Sequence, residues 1–131
     1  MRILLDTNAY SGWKRGNAGL LGIVRESEHV LVSSVVIGEL LFGFRLGSRY
    51  QHNARELREF LDRPCVSALP VTAITAERFG RIAAALRRRG TPIPTNDVWI
   101  AAQALESGAD LVSSDRHFDL IDGVARVEPE G

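Results

Sequence analysis

Short apolar runs alternate along this chain with longer segments whose apolar residues recur at helical spacing. Runs such as Ile-Leu-Leu at 3–5 favour short strands buried on both faces of a sheet. Alternation of this kind is typical of a parallel sheet covered by helices on both sides. The predicted strands are 2–5, 29–33, 66–69, 109–113 and 124–127, and the predicted helices are 9–15, 17–27, 35–46, 50–62, 76–89 and 97–107.

The size and composition of the chain favour one small domain in a reducing compartment. Its 131 residues, 45% of them hydrophobic, suffice to bury a core, so residues 1–131 are predicted to form a single domain. The lone cysteine, Cys65, cannot form an internal disulfide, which favours the cytoplasm, and we expect its thiol to be buried and inert. No apolar stretch approaches the roughly 20 residues of a membrane span, and the first residues do not resemble a signal peptide.

The charge of the chain is balanced, with 16 basic and 16 acidic residues. Bulk charge therefore gives no indication of a nucleic-acid ligand. Nearly all the basic residues are arginine, and several cluster at Arg78, Arg81 and 87–89. Arginine suits bidentate contacts to phosphate, but solvated helix faces in an arginine-rich chain explain the same cluster equally well.

Two aspartates directly follow predicted strands. Asp6 comes after the first strand, and Asp115 comes shortly after the fourth. In parallel α/β sheets, ligands bind beyond the carboxyl ends of the strands, which makes both residues candidates for a site. Taken alone, Asp6 is also explained as the N-cap of the next helix, and an aspartate such as Asp115 is common after a strand.

Two further acids begin or interrupt apolar helices. Glu39 lies within VVIGELLFGF, the most apolar predicted helix, where an unpaired carboxylate would carry a large desolvation cost. Pairing with an arginine, or a polar stripe on an edge helix, is the alternative to a ligand. Asp97 opens the helix in PTNDVWIAAQAL, where the helix dipole alone favours an acid. The small apolar residues around Asp97 predict close packing near the sheet edge.

All four acids can converge on one end of a parallel sheet. Clustered carboxylates repel one another and raise one another's pKa, a conflict that a divalent cation removes. Oxygen ligands without cysteine favour magnesium, with manganese as the alternative. Such a site fits phosphodiester hydrolysis, in which one carboxylate, for which Asp97 is the candidate, orients the attacking water or takes its proton.

Four segments in the same order resemble the PIN-domain nucleases, and within them the VapC toxins of bacterial type II toxin–antitoxin systems. The resemblance covers essentially the whole chain, and its segments are LLDTN, VVIGELLFG, PTNDVWIAA and LVSSDRHFDLIDGVARV. It implies a PIN-like three-layer α/β sandwich, with a central twisted parallel sheet and helices on both faces. It also implies a magnesium-dependent ribonuclease that forms homodimers and is inhibited by a VapB-like antitoxin. Transfer RNA or ribosomal RNA is the expected substrate class.

The resemblance also implies roles for individual residues. The family's acids fall on Asp6, Glu39, Asp97 and Asp115, and Asp6 and Asp97 are the most directly implied metal ligands. The residues expected to contact substrate are Thr7, Asn8 and Ser113, which match polar turn positions of the family, and Arg116, which adjoins the predicted edge. Relatives often carry threonine followed by Asn, Arg or His where this chain has Ser-Ser at 113–114, so Asp119 is considered as a substitute fourth acid.

Two other functions are weighed against the nuclease. An aspartyl-phosphate hydrolase would use Asp6 as the nucleophile, but such enzymes usually need a second aspartate where this chain has Asn8. A non-catalytic interaction domain would use the acids only as caps and arginine partners. For the remaining residues, His117 is expected to be an ordinary surface histidine. Phe42, Phe44 and Tyr50 fit either an antitoxin groove or the core.

Overall fold

A computed structural model describes residues 1–130 of the chain, which form five strands and six α-helices. The strands are Arg2–Leu5 (β1), His29–Ser33 (β2), Val66–Leu69 (β3), Asp110–Val112 (β4) and Arg126–Val127 (β5). The helices are Thr7–Lys14 (α1), Ala18–Glu26 (α2), Ser34–Leu46 (α3), Tyr50–Leu61 (α4), Ala73–Arg88 (α5) and Thr95–Ser107 (α6), and a 3₁₀ helix spans Arg116–Leu120.

All five strands are parallel and follow the order β3-β2-β1-β4-β5. The chain moves outward from β1 to β2 and β3, and then crosses back to place β4 on the other side of β1. Strand order therefore reverses between β1 and β4, and a crevice at the carboxyl ends of such strands is where open α/β sheets bind ligands. The predicted parallel α/β architecture is confirmed.

The core lies around β1 and α6. Ile3, Leu4 and Leu5 of β1 are completely buried, as a central strand with neighbours on both edges requires. Helix α6 buries a run of small and branched residues, among them Ala101 and Ala102, and these alanines permit close packing. This packing fixes the start of α6, and with it Asp97, relative to the sheet. No helix within residues 1–130 has both the length and the apolar character needed to cross a membrane.

The structure corrects several local predictions. Helix α5 begins one turn earlier than predicted, because Thr72 and not Thr75 is its N-cap, and the Thr75 side chain is buried against α6. Helix α6 begins at Thr95, directly after Pro94, and neither Thr95 nor Asn96 caps it. Strand β5 is limited to Arg126–Val127. Cys65, predicted to be buried, is exposed because it precedes the edge strand β3.

Candidate active site

Asp6 occupies the link between β1 and α1 and is only 7% exposed. Its carboxylate accepts a hydrogen bond of 2.8 Å from the backbone N–H of Ala9, so Asp6 is indeed the N-cap of α1. It also accepts a hydrogen bond from the side chain of Ser113, across the gap between β1 and β4. Burial raises the pKa of Asp6, these hydrogen bonds lower it, and the negative charges of Asp115 and Glu39 raise it further. Capping and a site role therefore coexist at this residue.

Ser113 organises the end of β4. Its side chain is completely buried, and its hydroxyl oxygen accepts a 3.0 Å hydrogen bond from the backbone N–H of Asp115. The hydroxyl thus connects Asp115 to Asp6. Because no part of Ser113 is exposed, this geometry favours a role in holding the two aspartates over the substrate contact predicted from the sequence.

Asp97 and Asp115 meet at the imidazole of His117. The Nδ1 atom of His117 lies 3.3 Å from Oδ2 of Asp97 and 3.1 Å from Oδ1 of Asp115. One ligand atom from each of these residues lies within 4.8 Å of the other two, a spacing that suits a single metal ion. Burial raises the pKa of Asp97, the hydrogen bond from His117 lowers it, and the charges of Asp115 and Glu39 raise it.

Glu39 reaches the same edge from α3. Its half-buried carboxylate accepts a 2.8 Å hydrogen bond from the hydroxyl of Thr7. No arginine or lysine forms an ion pair with Glu39 within residues 1–130, so the arginine pairing considered from the sequence is absent there. The charge of Glu39 raises the pKa of both Asp6 and Asp97, which places all four acids in one electrostatic cluster.

Of the remaining predicted residues, two are exposed, and the third, Asp119, pairs with an arginine. Asn8 and Arg116 are exposed beside Thr7 and Asp115 respectively. Asp119, considered as a substitute fourth acid, instead pairs with Arg126 through contacts of 2.8 and 3.0 Å. The guanidinium of Arg126 holds the pKa of Asp119 below its usual range. Asp119 therefore stabilises the turn before β5 and does not supplement Asp115.

His117 is the residue that the sequence interpretation undervalued. It is half exposed, as expected of a surface histidine, yet it contacts two of the acids. Asp115 caps the 3₁₀ helix by accepting a 2.9 Å hydrogen bond from the N–H of His117, and this turn directs the ring back toward the cluster. A histidine two residues after a capping aspartate is a weak signal that could have indicated this position.

The donor set fits a hard divalent cation. Four carboxylates share the cluster with one imidazole, and none of them contacts an arginine or lysine within the described residues 1–130. Carboxylate oxygen is the ligand that magnesium and manganese prefer in proteins. Asp97, Asp115 and His117 are close enough together to share one ion, and Asp6 and Glu39 belong to the same electrostatic cluster.

Comparison with known proteins identifies the family. A model of the PIN domain matches residues 3–124. The chain belongs to the PIN-domain family. This PIN domain is 31% identical to ribonuclease VapC2 of Haemophilus influenzae, over 92% of each chain. It is 26% identical to ribonuclease VapC5 of Mycobacterium tuberculosis, over 95% of this chain and 91% of the relative.

Solved structures agree with the fold of this PIN domain. A chain of DNA-bound VapBC from Salmonella typhimurium superposes with a TM-score of 0.87, at 25% identity and 97% coverage of both chains. A chain of VapBC-1 from nontypeable Haemophilus influenzae superposes with a TM-score of 0.86, at 23% identity and 98% coverage of both. The PIN-like α/β architecture predicted from the sequence is thereby confirmed.

Proposed function

We propose that this chain is a divalent-metal-dependent endoribonuclease that serves as the toxin of a VapBC-type toxin–antitoxin pair. The observation that carries the proposal is the convergence of Asp6, Glu39, Asp97 and Asp115 at the reversal point of the sheet. Relatives that align over more than nine-tenths of their length are named VapC ribonucleases. The acids supply the chemistry, and the relatives point to RNA as the substrate.

Asp6 and Asp97 would hold the metal ion, which we take to be magnesium, with manganese as the alternative. A bound ion of this kind polarises a phosphoryl oxygen and makes water a stronger acid. Asp97 is placed to accept the proton of the attacking water, because only about a fifth of its side chain is exposed and its pKa is raised by burial. Glu39 and Asp115, whose charges act on both residues, would help to orient the ion and its bound water.

Neighbouring residues hold the acids in place. Thr7 fixes Glu39 and Ser113 fixes Asp6 and Asp115, each through its hydroxyl. Removing a hydrogen-bond partner that orients a metal-site carboxylate typically lowers metal affinity or activity by about 10- to 100-fold. Arg116 and Asn8, both exposed at this edge, would contact the substrate phosphates directly.

The proposed partners include an antitoxin and a second copy of the chain. Two of the solved relatives are VapBC complexes. On α3, Phe42 is 67% and Leu46 is 75% exposed, an apolar face suited to a VapB-like segment. RNA as substrate and a single free thiol both favour a cytoplasmic location.

The proposal is tested by cleavage of RNA with magnesium by purified variants. Asp97→Asn and Asp6→Asn each remove a proposed ligand while preserving side-chain volume, and we expect each to lower cleavage at least about 100-fold. Asp119→Asn is the matched control, because it makes the same change outside the cluster and should retain activity. Unchanged cleavage by either ligand variant would contradict the proposed site.

Metal binding is tested separately by thermal unfolding. Magnesium or manganese at 100 times its dissociation constant should stabilise the wild type by about 2.7 kcal/mol. Asp6→Asn and Asp97→Asn should lose this gain, and Asp119→Asn should keep it. A wild-type melting temperature unchanged by either ion at millimolar concentrations would favour a non-catalytic interaction domain.

A further inference from the structure

A groove lined by several arginines runs along α5. Its floor and near wall come from α5, and its far wall comes from Ile121 and Asp122, directly after the 3₁₀ helix Arg116–Leu120. The groove has a volume of about 420 Å³ and is lined by Arg81, Ile82, Ala85, Arg88, Arg89 and Asp122 among others. The lining residues between the arginines are apolar. We call this surface the α5 groove.

The positive charge of the α5 groove is largely uncompensated. Arg78, Arg81 and the run at 87–89 are all exposed. In the described part of the chain, Arg81 is the one member of this set that pairs with a carboxylate, at 3.0 Å from the exposed Glu77. Such surface pairs contribute little free energy, so Arg81 remains available to a stronger ligand. Asp122 contributes the single acidic side chain among the lining residues of the groove.

The helix dipole and the fold explain only part of this cluster. Arg87 and Arg88 lie in the last turn of α5, where a cation is favoured. Arg89 donates a hydrogen bond to the carbonyl of Leu120 and so attaches the end of α5 to the 3₁₀ helix. Neither reason applies to Arg81, which lies two turns before the end of α5 on the same face as Arg88.

The α5 groove is connected to the carboxylate cluster through the 3₁₀ helix Arg116–Leu120. The 3₁₀ helix that receives the hydrogen bond from Arg89 also carries His117, which contacts Asp97 and Asp115. Helices α5 and α6 are packed together, and the short link between them brings the end of α5 to the start of α6, where Asp97 lies. A ligand that follows α5 past Arg89 is therefore directed toward the start of α6 and Asp97.

We propose that the α5 groove binds the RNA backbone on one side of the cleaved bond. This inference rests on the proposed ribonuclease function and names the surface that holds its substrate. Arg81 and Arg88 would each contact a phosphate, and the distance from Arg78 to Arg89 along the helix, about 16 Å, spans several nucleotides. Contacts to phosphate carry no base information, so the groove would add affinity without sequence preference.

The test compares two double variants of the full chain. Arg81→Gln with Arg88→Gln removes two positive charges from the groove, and Arg25→Gln with Arg58→Gln makes the same charge change at exposed positions of α2 and α4, outside the groove. Binding to a fluorescent single-stranded RNA of about 20 nucleotides, longer than common single-strand sites, is measured with EDTA to prevent cleavage. Thermal melts establish that the exposed substitutions leave the fold intact.

Two lost phosphate contacts should weaken RNA binding roughly 10- to 30-fold in 0.1 M salt, and should reduce the slope of log affinity against log salt by about 1.4. With magnesium present, KM should rise by the same factor while kcat is retained. The control double variant should match the wild type in both assays.

Equal RNA affinity for the groove variant and the wild type would overturn this inference while leaving the nuclease assignment standing. Loss of affinity for a polyglutamate peptide but not for RNA would indicate an acidic protein partner and would also overturn it. If the wild type neither bound nor cleaved RNA, both the inference and the proposed function would fail.

Discussion

The hydroxyl of Thr7 donates a 2.8 Å hydrogen bond to Glu39, which lies 32 residues further along the chain. Thr7 begins α1 directly after Asp6, and Glu39 lies within α3. The bond therefore joins the segment that carries one acid to the helix that carries another. It also satisfies a half-buried carboxylate that has no basic partner within residues 1–130.

Replacing Thr7 with valine should lower RNA cleavage about tenfold, a typical loss for a group that orients a metal-site carboxylate. Valine keeps the shape of threonine but cannot donate to Glu39. The measurement is kcat/KM at saturating magnesium. Thr7→Ser retains the hydroxyl and should retain most of the activity. If both variants cleaved as the wild type does, the bond to Glu39 would have no role in positioning.

Because Asp6 is buried, we expect its carboxylate to make the metal-free protein less stable at neutral pH than in mild acid. Its raised pKa means that the folded state binds a proton more tightly than the unfolded state does. The free energy of unfolding should then fall as the pH rises above the unfolded value of about 3.9 and through the raised pKa. Asp6→Asn removes this penalty and keeps a residue that caps helices well.

Urea unfolding in EDTA tests this expectation. Asp6→Asn should be more stable than the wild type near about pH 7, and the difference should vanish below about pH 3.5, where aspartate is protonated in both states. Asp119→Asn provides a contrast of opposite sign, because Arg126 lowers the pKa of Asp119 and its loss can only destabilise at neutral pH. An Asp6→Asn variant less stable than the wild type at neutral pH would contradict the burial argument.

Sequence patterns located the acids because each pattern reflects one strong local constraint. Asp6 and Asp115 follow strands, and parallel strands bring their carboxyl ends to one edge. Glu39 stood out because a carboxylate is costly in an apolar helix. The boundaries of β1, β2 and β3 agreed with prediction, since those runs are short and bounded by polar residues.

Other features depend on contacts between distant residues, which local patterns do not contain. Asp119 pairs with Arg126 only because β5 lies beside β4, and that pairing turns the aspartate away from the acids. His117 reaches Asp97 across 20 residues by way of a 3₁₀ turn. Thr72 and Thr75 lie one turn apart, and the sequence alone does not reveal which one caps α5 and which one is buried.

We expect the Thr75 side chain to contribute measurably to the stability of the contact between α5 and α6. Its buried hydroxyl donates a 2.8 Å hydrogen bond to Glu106 and accepts one of 3.1 Å from the backbone N–H of Thr72. Thr75→Val should lower the free energy of unfolding by about 1–3 kcal/mol, because it leaves both groups without a partner. Thr75→Ser keeps the hydroxyl and should cost less. Urea unfolding measures both, and a loss for Thr75→Val no larger than that for Thr75→Ser would contradict the role of the hydroxyl.

The position of the last described residues predicts that Gly19→Ala has opposite effects on stability in the full chain and in a shortened chain. The backbone of Glu130 lies so close to Gly19 of α2 that a Cβ there would overlap it. Gly19→Ala in the full chain should therefore displace the tail and lower stability. In a chain that ends at Glu128, the same change should stabilise by up to about 1 kcal/mol, the usual preference of a helix for alanine over glycine.

Gly22→Ala is the matched control for this cycle. A Cβ at Gly22 would meet nothing closer than the end of the Arg25 side chain at 4.0 Å, so alanine there should stabilise both chain lengths equally. Thermal or urea unfolding of the wild type, Gly19→Ala and Gly22→Ala, each at both chain lengths, gives the coupling free energy between Gly19 and the tail. A coupling free energy near zero would show that residues 129–130 do not contact α2 in solution. Only a tail that contacts α2 can make the effect of Gly19→Ala on stability depend on chain length.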